Sequence, residues 1–120
     1  MVQSFRDLLV WQKGMDLAVL VYKISQQFPR SERFGLTSQV RRAAVSIPSN
    51  VAEGKAVRGQ TCPHHVRIAL GSEAELQTQL ELAKRLTMVH EREADDLIAQ
   101  TSEVGRMLTG LLNSLPRSEA

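Results

Sequence analysis

Three groups of residues in this 120-residue sequence carry side chains capable of chemistry. The first is Cys62, His64 and His65. Thiolate and imidazole are the ligands zinc prefers, but a tetrahedral site needs them to converge. Adjacent helical residues point about 100° apart, so the two histidines diverge, and the expectation is exposed residues at a helix start and no metal. The second group is Glu73 and Glu75, which fall on two apolar seams of one helical segment. A buried carboxylate must be paired or hydrogen-bonded. Arg41, Arg42 and Asn50 are the expected partners, so Glu73, Glu75 and Arg42 read as a structural ion pair fixing helix register or a subunit contact. The alternative is a catalytic acid, which lacks a visible second group. No histidine spacing activates Ser72 as a nucleophile, and Gly54 and Gly59 do not form a phosphate loop. No catalytic residue is assigned.

The third group is cationic. Residues 30–58 hold six basic residues against two acidic ones, a net charge of +4. Residues 91–120 hold three basic against six acidic, a net charge of −3. Arg41, Arg42, Lys55 and Arg58 are the candidate nucleic-acid phosphate contacts. The competing reading is that the basic and acidic segments complement each other within or between bundles. No aromatic residue is seen interleaved with these arginines, so base stacking on single strands is not expected.

Four helical segments must position these residues. The first runs from about residue 5 to 27 and stops at Phe28-Pro29, because the residue before proline avoids the helical region. Val10, Leu17, Val21, Ile24 and Phe28 line one strip; Leu8, Trp11, Met15, Ala18 and Tyr22 line the next. Together they exceed the stripe one core needs. The second spans about 35–53 with Gly54 as its stop. Its stripe keeps phase across Pro48, which favours a kinked but continuous helix. The third spans about 61–88, with Thr61 as N-cap and Pro63 in the first turn. One seam is Val66, Ala69, Leu76, Leu80 and Ala83; the other is Ile68, Glu75, Leu82, Leu86 and Val89. Two seams require two partners. The fourth spans about 91–115, opens on Glu91, Glu93, Asp95 and Asp96, and carries a single stripe. Gly14, Gly71, Gly105 and Gly110 fall inside these helices. Each costs about 1 kcal/mol relative to alanine, which close helix approach would explain.

No alternating strand pattern is present. Short connections between long helices give an all-α, antiparallel up-down-up-down four-helix bundle occupying residues 1–120 as one domain. Aromatics are 4% of the chain, so the core is expected to be aliphatic. The longest strictly apolar run, Leu17 to Tyr22, is six residues, far short of the roughly twenty a membrane helix needs. Residues 1–9 carry Arg6 and Asp7 rather than a signal-peptide pattern. The single cysteine excludes an internal disulfide. A cytoplasmic setting is expected.

The stretch from Phe34 to Gly54, with Ser46-Ile47-Pro48-Ser49-Asn50 inside a helix, resembles the signature of the small bacterial 23S rRNA intervening-sequence proteins. Phe5-Arg6-Asp7-Leu8, Trp11-Gln12-Lys13, the Phe28-Pro29 turn with Glu32, and Ala69-Leu70-Gly71-Ser72 followed by Glu75-Leu76 extend the likeness over nearly the whole chain. Gly14 and Cys62-Pro63-His64-His65 depart from the pattern. The resemblance implies a helical bundle assembling into a ring, typically a pentamer. Similar proteins are accessory factors of diversity-generating retroelements, where a basic ring binds nucleic acid and a reverse transcriptase. It implies no catalytic residues and no cofactor, and for most members the biochemical role is unestablished. The expectation is a non-enzymatic homo-oligomer that contacts RNA or DNA, with Leu8, Trp11, Met15, Ile68, Leu82 and Leu86 at the oligomer interface. A protein-partner scaffold, or a carboxylate enzyme centred on Glu73 or Glu75, is the alternative.

Overall fold

The computed structural model describes residues 4–58 and 61–116, the side chains of 57 and 58 excepted. Four α-helices account for it: α1 (Leu9–Ser25), α2 (Leu36–Arg58), α3 (Pro63–Arg85) and α4 (Glu91–Ser114). Among the described residues there is no strand. Each helix packs on its sequence neighbours, and α1 closes against α4, giving an antiparallel bundle with extents of 44 × 22 × 21 Å.

The core follows the periodic stripes. Val21, Val40, Ala44, Ile47, Val66, Ala69, Leu76, Leu80 and Leu108 are completely buried. It is aliphatic, as the composition requires; Phe28 is its one aromatic side chain among the described residues. Truncating a leucine such as Leu76 or Leu80 to alanine costs about 2–5 kcal/mol.

Three boundaries differ from the sequence expectation. The first segment is divided: Phe5–Asp7 form a 3₁₀ turn, and Leu8 is extended before α1 begins. Ser4 and Asp7 close a reciprocal capping box on that turn, which satisfies two backbone donors outside the helix. Gly54 does not stop α2, which continues to Arg58. Gly54 is instead buried where a Cβ would stand 2.9 Å from the Cβ of His65, so it permits close approach of α2 to α3. Finally α3 ends at Arg85 rather than Met88. Thr87 adopts φ 56°, and the N–H groups of Thr87 and Met88 donate to the carbonyls of Lys84 and Ala83. That is a Schellman cap.

Helix α2 is continuous through Pro48. Gly14 on α1 faces the proline; a Cβ there would lie 3.5 Å from Pro48 and Ile47, an ordinary contact. Close approach also explains Gly105, but not Gly71 or Gly110, which face open space. The N-terminus of α2 is held by Glu32, whose carboxylate accepts from the Leu36 N–H at 2.9 Å.

Candidate nucleic-acid interface

A polar groove of about 530 Å³ opens between α2 and α3. Helix α2 contributes Ser38, Gln39, Arg42, Ala43 and Ser46; α3 contributes Ser72, Glu75 and Gln79. Phe34, in the turn before α2, forms the rim. Helical spacing explains the lining: Arg42 and Ser46 are one turn apart, as are Ser72, Glu75 and Gln79. At the base the Ser46 and Ser72 hydroxyls bond each other at 2.7 Å. Asn50 Nδ2 donates to Ser46 Oγ at 3.0 Å and to the Ser46 carbonyl at 2.8 Å. Gln79 is buried, and its amide oxygen has no hydrogen-bond partner.

Phe34 is 89% exposed, with the Arg33 guanidinium 5.3 Å from its ring centroid. Arg42 is exposed. An aromatic face therefore does stand beside the arginines, contrary to the sequence expectation. The overlooked signal is phase: Phe34 lies two residues before Leu36, the start of the Leu36, Val40, Ala43 stripe, and has no place in the core.

The four expected phosphate contacts are not equivalent. Arg42 lines the groove. Arg41 is committed to α1: its Nε donates to Ser25 Oγ at 2.8 Å, its Nη2 to the Tyr22 carbonyl, and its guanidinium lies 4.7 Å from the Tyr22 ring centroid. This cation tops the C-terminal end of α1, where the helix dipole favours it. Lys55 is half-buried on α2, and the Arg58 side chain lies outside the described residues.

The ion pair expected between Arg42 and Glu73 or Glu75 is not formed; the ion pairs among the described residues include His65–Glu53, Lys84–Glu91 and Lys84–Asp95. The reason is helical phase. Ser72 faces α2, and Glu73, about 100° further round, turns to α4. There it is buried against Gly105 and accepts from Gln77 Nε2. Glu75 is exposed in the groove with Arg42.

Cys62 is buried, not exposed as expected. It is the N-cap of α3 and packs with His65 against Gly54. The His65 side chain and the His65 and His64 backbone N–H groups pull the thiol pKa below its ordinary value, against burial. Cys62, then Glu53, raises the imidazole's pKa, again against burial. Glu53 lies 3.5 Å from His65 Nε2, while Nδ1 is buried without a hydrogen-bond partner. Among the described residues no group of three or more His, Cys, Asp or Glu is placed to hold a metal.

The expected oligomer-interface residues divide. Leu8 and Trp11 are partly buried against the core. Met15 joins Trp11, Val19, Tyr22, Val45 and Pro48 along an apolar groove of about 630 Å³ between α1 and α2. Ile68 and Leu82 on α3 and Leu86 at its C-cap are exposed, while Val89, from the same predicted seam, turns into the core.

The fold and its two kinds of surface define a small helical-bundle protein with a polar groove and uncovered apolar flanks. The model of the 23S rRNA-intervening sequence protein family matches residues 6–110, and the chain belongs to that family. A crystal structure from Bacteroides thetaiotaomicron, described as a protein with unknown function from the S23 ribosomal protein family, shares the fold. The TM-score is 0.79 at 20% identity, over 88% of this chain and 100% of that one. No curated protein matches the sequence. Among the described residues no helix is long and apolar enough to cross a membrane.

Proposed function

We propose that this protein is a non-enzymatic homo-oligomer, a pentameric ring, that binds single-stranded nucleic acid along the Arg33, Phe34 and Arg42 rim of the α2–α3 groove. The observation carrying this reading is Phe34, 89% exposed beside a guanidinium. Exposing an aromatic ring to water has no folding benefit, whereas a ring flanked by cations stacks bases while the cations hold phosphates. The exposed apolar residues of α1, α2 and α3 support the oligomer, because large uncovered apolar patches mark contact surfaces. Ring symmetry multiplies a modest net charge of +2 per chain into a basic track.

The test is fluorescence anisotropy with single-stranded RNA across a salt series. Affinity should fall steeply with salt, as counterion release requires. Phe34→Ala should weaken binding without changing the salt slope, and Arg42→Ala should flatten the slope. No binding at low salt would remove the proposal.

A further inference from the structure

We infer that the α2–α3 groove receives one unstacked guanine of the bound strand. The inference rests on the nucleic-acid reading above and gives it a base preference.

The groove's unspent hydrogen-bonding groups carry the argument. Buried polar atoms are nearly always paired, yet the Gln79 amide oxygen, on a side chain 8% exposed, is not. One turn away on the same helix stands the Glu75 carboxylate, an acceptor only. At the base, Ser46 and Ser72 own two hydroxyl protons but share one bond. Ser46 Oγ also accepts from Asn50, which uses no hydroxyl proton. Whichever serine donates, one O–H is left over. The groove therefore offers one hydroxyl donor and a carboxylate, with the orphaned carbonyl oxygen of Gln79 buried behind its lining.

Guanine's Watson–Crick edge is the complement: one acceptor, O6, beside the N1–H and N2–H₂ donors. The carboxylate accepts from N1–H and N2–H₂ together, a serine hydroxyl donates to O6, and the Gln79 side chain must turn outward for its carbonyl oxygen to take the remaining N2 proton. Adenine, cytosine and uracil each lack the adjacent pair of donors and set a ring nitrogen or carbonyl against the carboxylate. The volume, about 530 Å³, lies in the range of small-ligand sites. Phe34 at the rim covers a base face, and Arg33 and Arg42 take the flanking phosphates. Single-strand recognition of splayed bases uses this combination of stacking and edge contacts.

The experiment compares fluorescein-labelled dodecamers of uridine carrying one central G, A, C or U, using the full chain. The G strand should bind about tenfold tighter than the others, the discrimination typical of a bidentate contact. Glu75→Gln should abolish that preference and strengthen binding of the plain uridine strand, because it removes a negative charge near phosphates. A merely structural role for Glu75 would weaken all strands alike. Equal binding of all four strands, or a preference surviving Glu75→Gln, overturns the guanine site and leaves nucleic-acid binding standing; no binding to any strand overturns both. Free GMP should compete far more weakly than the G strand; equal competition would overturn the strand as the ligand. Loss of oligomeric mass in Glu75→Gln would place a second copy of the chain in the groove and likewise overturn the inference.

Discussion

The carboxyl group of Glu73 lies directly against the bare Cα of Gly105 across the α3–α4 interface. A Cβ built on Gly105 would stand 2.6 Å from Glu73 Cδ. The acid occupies the space of a methyl group and is steadied there by Gln77. In the wild-type chain, Gly105→Ala sets a helix-propensity gain of about 1 kcal/mol against displacement of that carboxylate. In a Glu73→Ala background the gain has no opponent. The expected coupling between the two substitutions is about 1 kcal/mol, read from a urea double-mutant cycle. Strict additivity would show that the carboxylate has no need of its seat.

The turn from α3 to α4 contains a strained position. Thr87 is the one non-glycine residue with positive φ among the described residues, and it is β-branched, the class least suited to that region. Its N–H and that of Met88 complete the cap, so the conformation is required by the turn. Glycine satisfies it without the steric cost. Thr87→Gly is expected to raise stability by about 1 kcal/mol, measured as a higher denaturant midpoint at unchanged m-value. A lower midpoint would mean that the threonine side chain supports the turn.

Particular residues show which features are legible in a linear sequence. The stripe Leu36, Val40, Ala43, Ala44, Ile47 and Val51 is buried as its phase dictates, and it carries α2 through Pro48. Periodicity reports helix faces because burial acts on each helix separately. Gly54 misleads for the opposite reason. Glycine after a stripe usually ends a helix, but here the neighbouring helix, with His65 and Cys62, demands a residue without Cβ. Arg41 is a similar case: its partners Ser25 and Tyr22 are 16 and 19 residues away, and no local pattern reveals them. The groove combines one cue that was readable, the out-of-phase Phe34, with one that was not. Gln79 becomes an orphaned acceptor only once α2 and α3 are packed.

The Cys62–His65 contact makes both groups titrate away from their usual ranges. Cys62 sits below 9.0 because the His65 ring and N–H stabilise the thiolate; His65 sits above 6.5 because of Cys62 and then Glu53. The signs for stability are opposite. The contribution of His65 is complete below 6.5 and disappears as pH rises through its folded midpoint. That of Cys62 is complete above 9.0 and disappears as pH falls through its folded midpoint. The midpoints are accessible from the His65 ring resonances and from thiolate absorbance. Cys62→Ser should move the His65 midpoint down towards 6.5, and His65→Ala should move the thiol midpoint up towards 9.0. If neither moves, the two groups do not interact in solution.

The apolar flanks give the last prediction. Val19 and Val45 are 51% and 41% exposed, and both line the α1–α2 groove; Leu82 on α3 and Leu86 at its C-cap are exposed, and α3 packs beside α2 and α4. Two dissimilar surfaces on one chain suit a head-to-tail contact, and a head-to-tail contact that closes makes a ring. Because these side chains are exposed in the single chain, replacing one by glutamate leaves the core intact and changes stability of the isolated bundle by no more than about 0.5 kcal/mol. Within an interface the same change strands a charge against apolar surface, at a cost of several kcal/mol. Val19→Glu and Leu82→Glu should therefore each yield a folded species of 13.4 kDa by sedimentation equilibrium, with unchanged helical circular dichroism, while the wild-type chain sediments as a multiple of that mass. Sedimentation of the wild-type chain itself at the single-chain mass would leave both flanks in water and remove the ring.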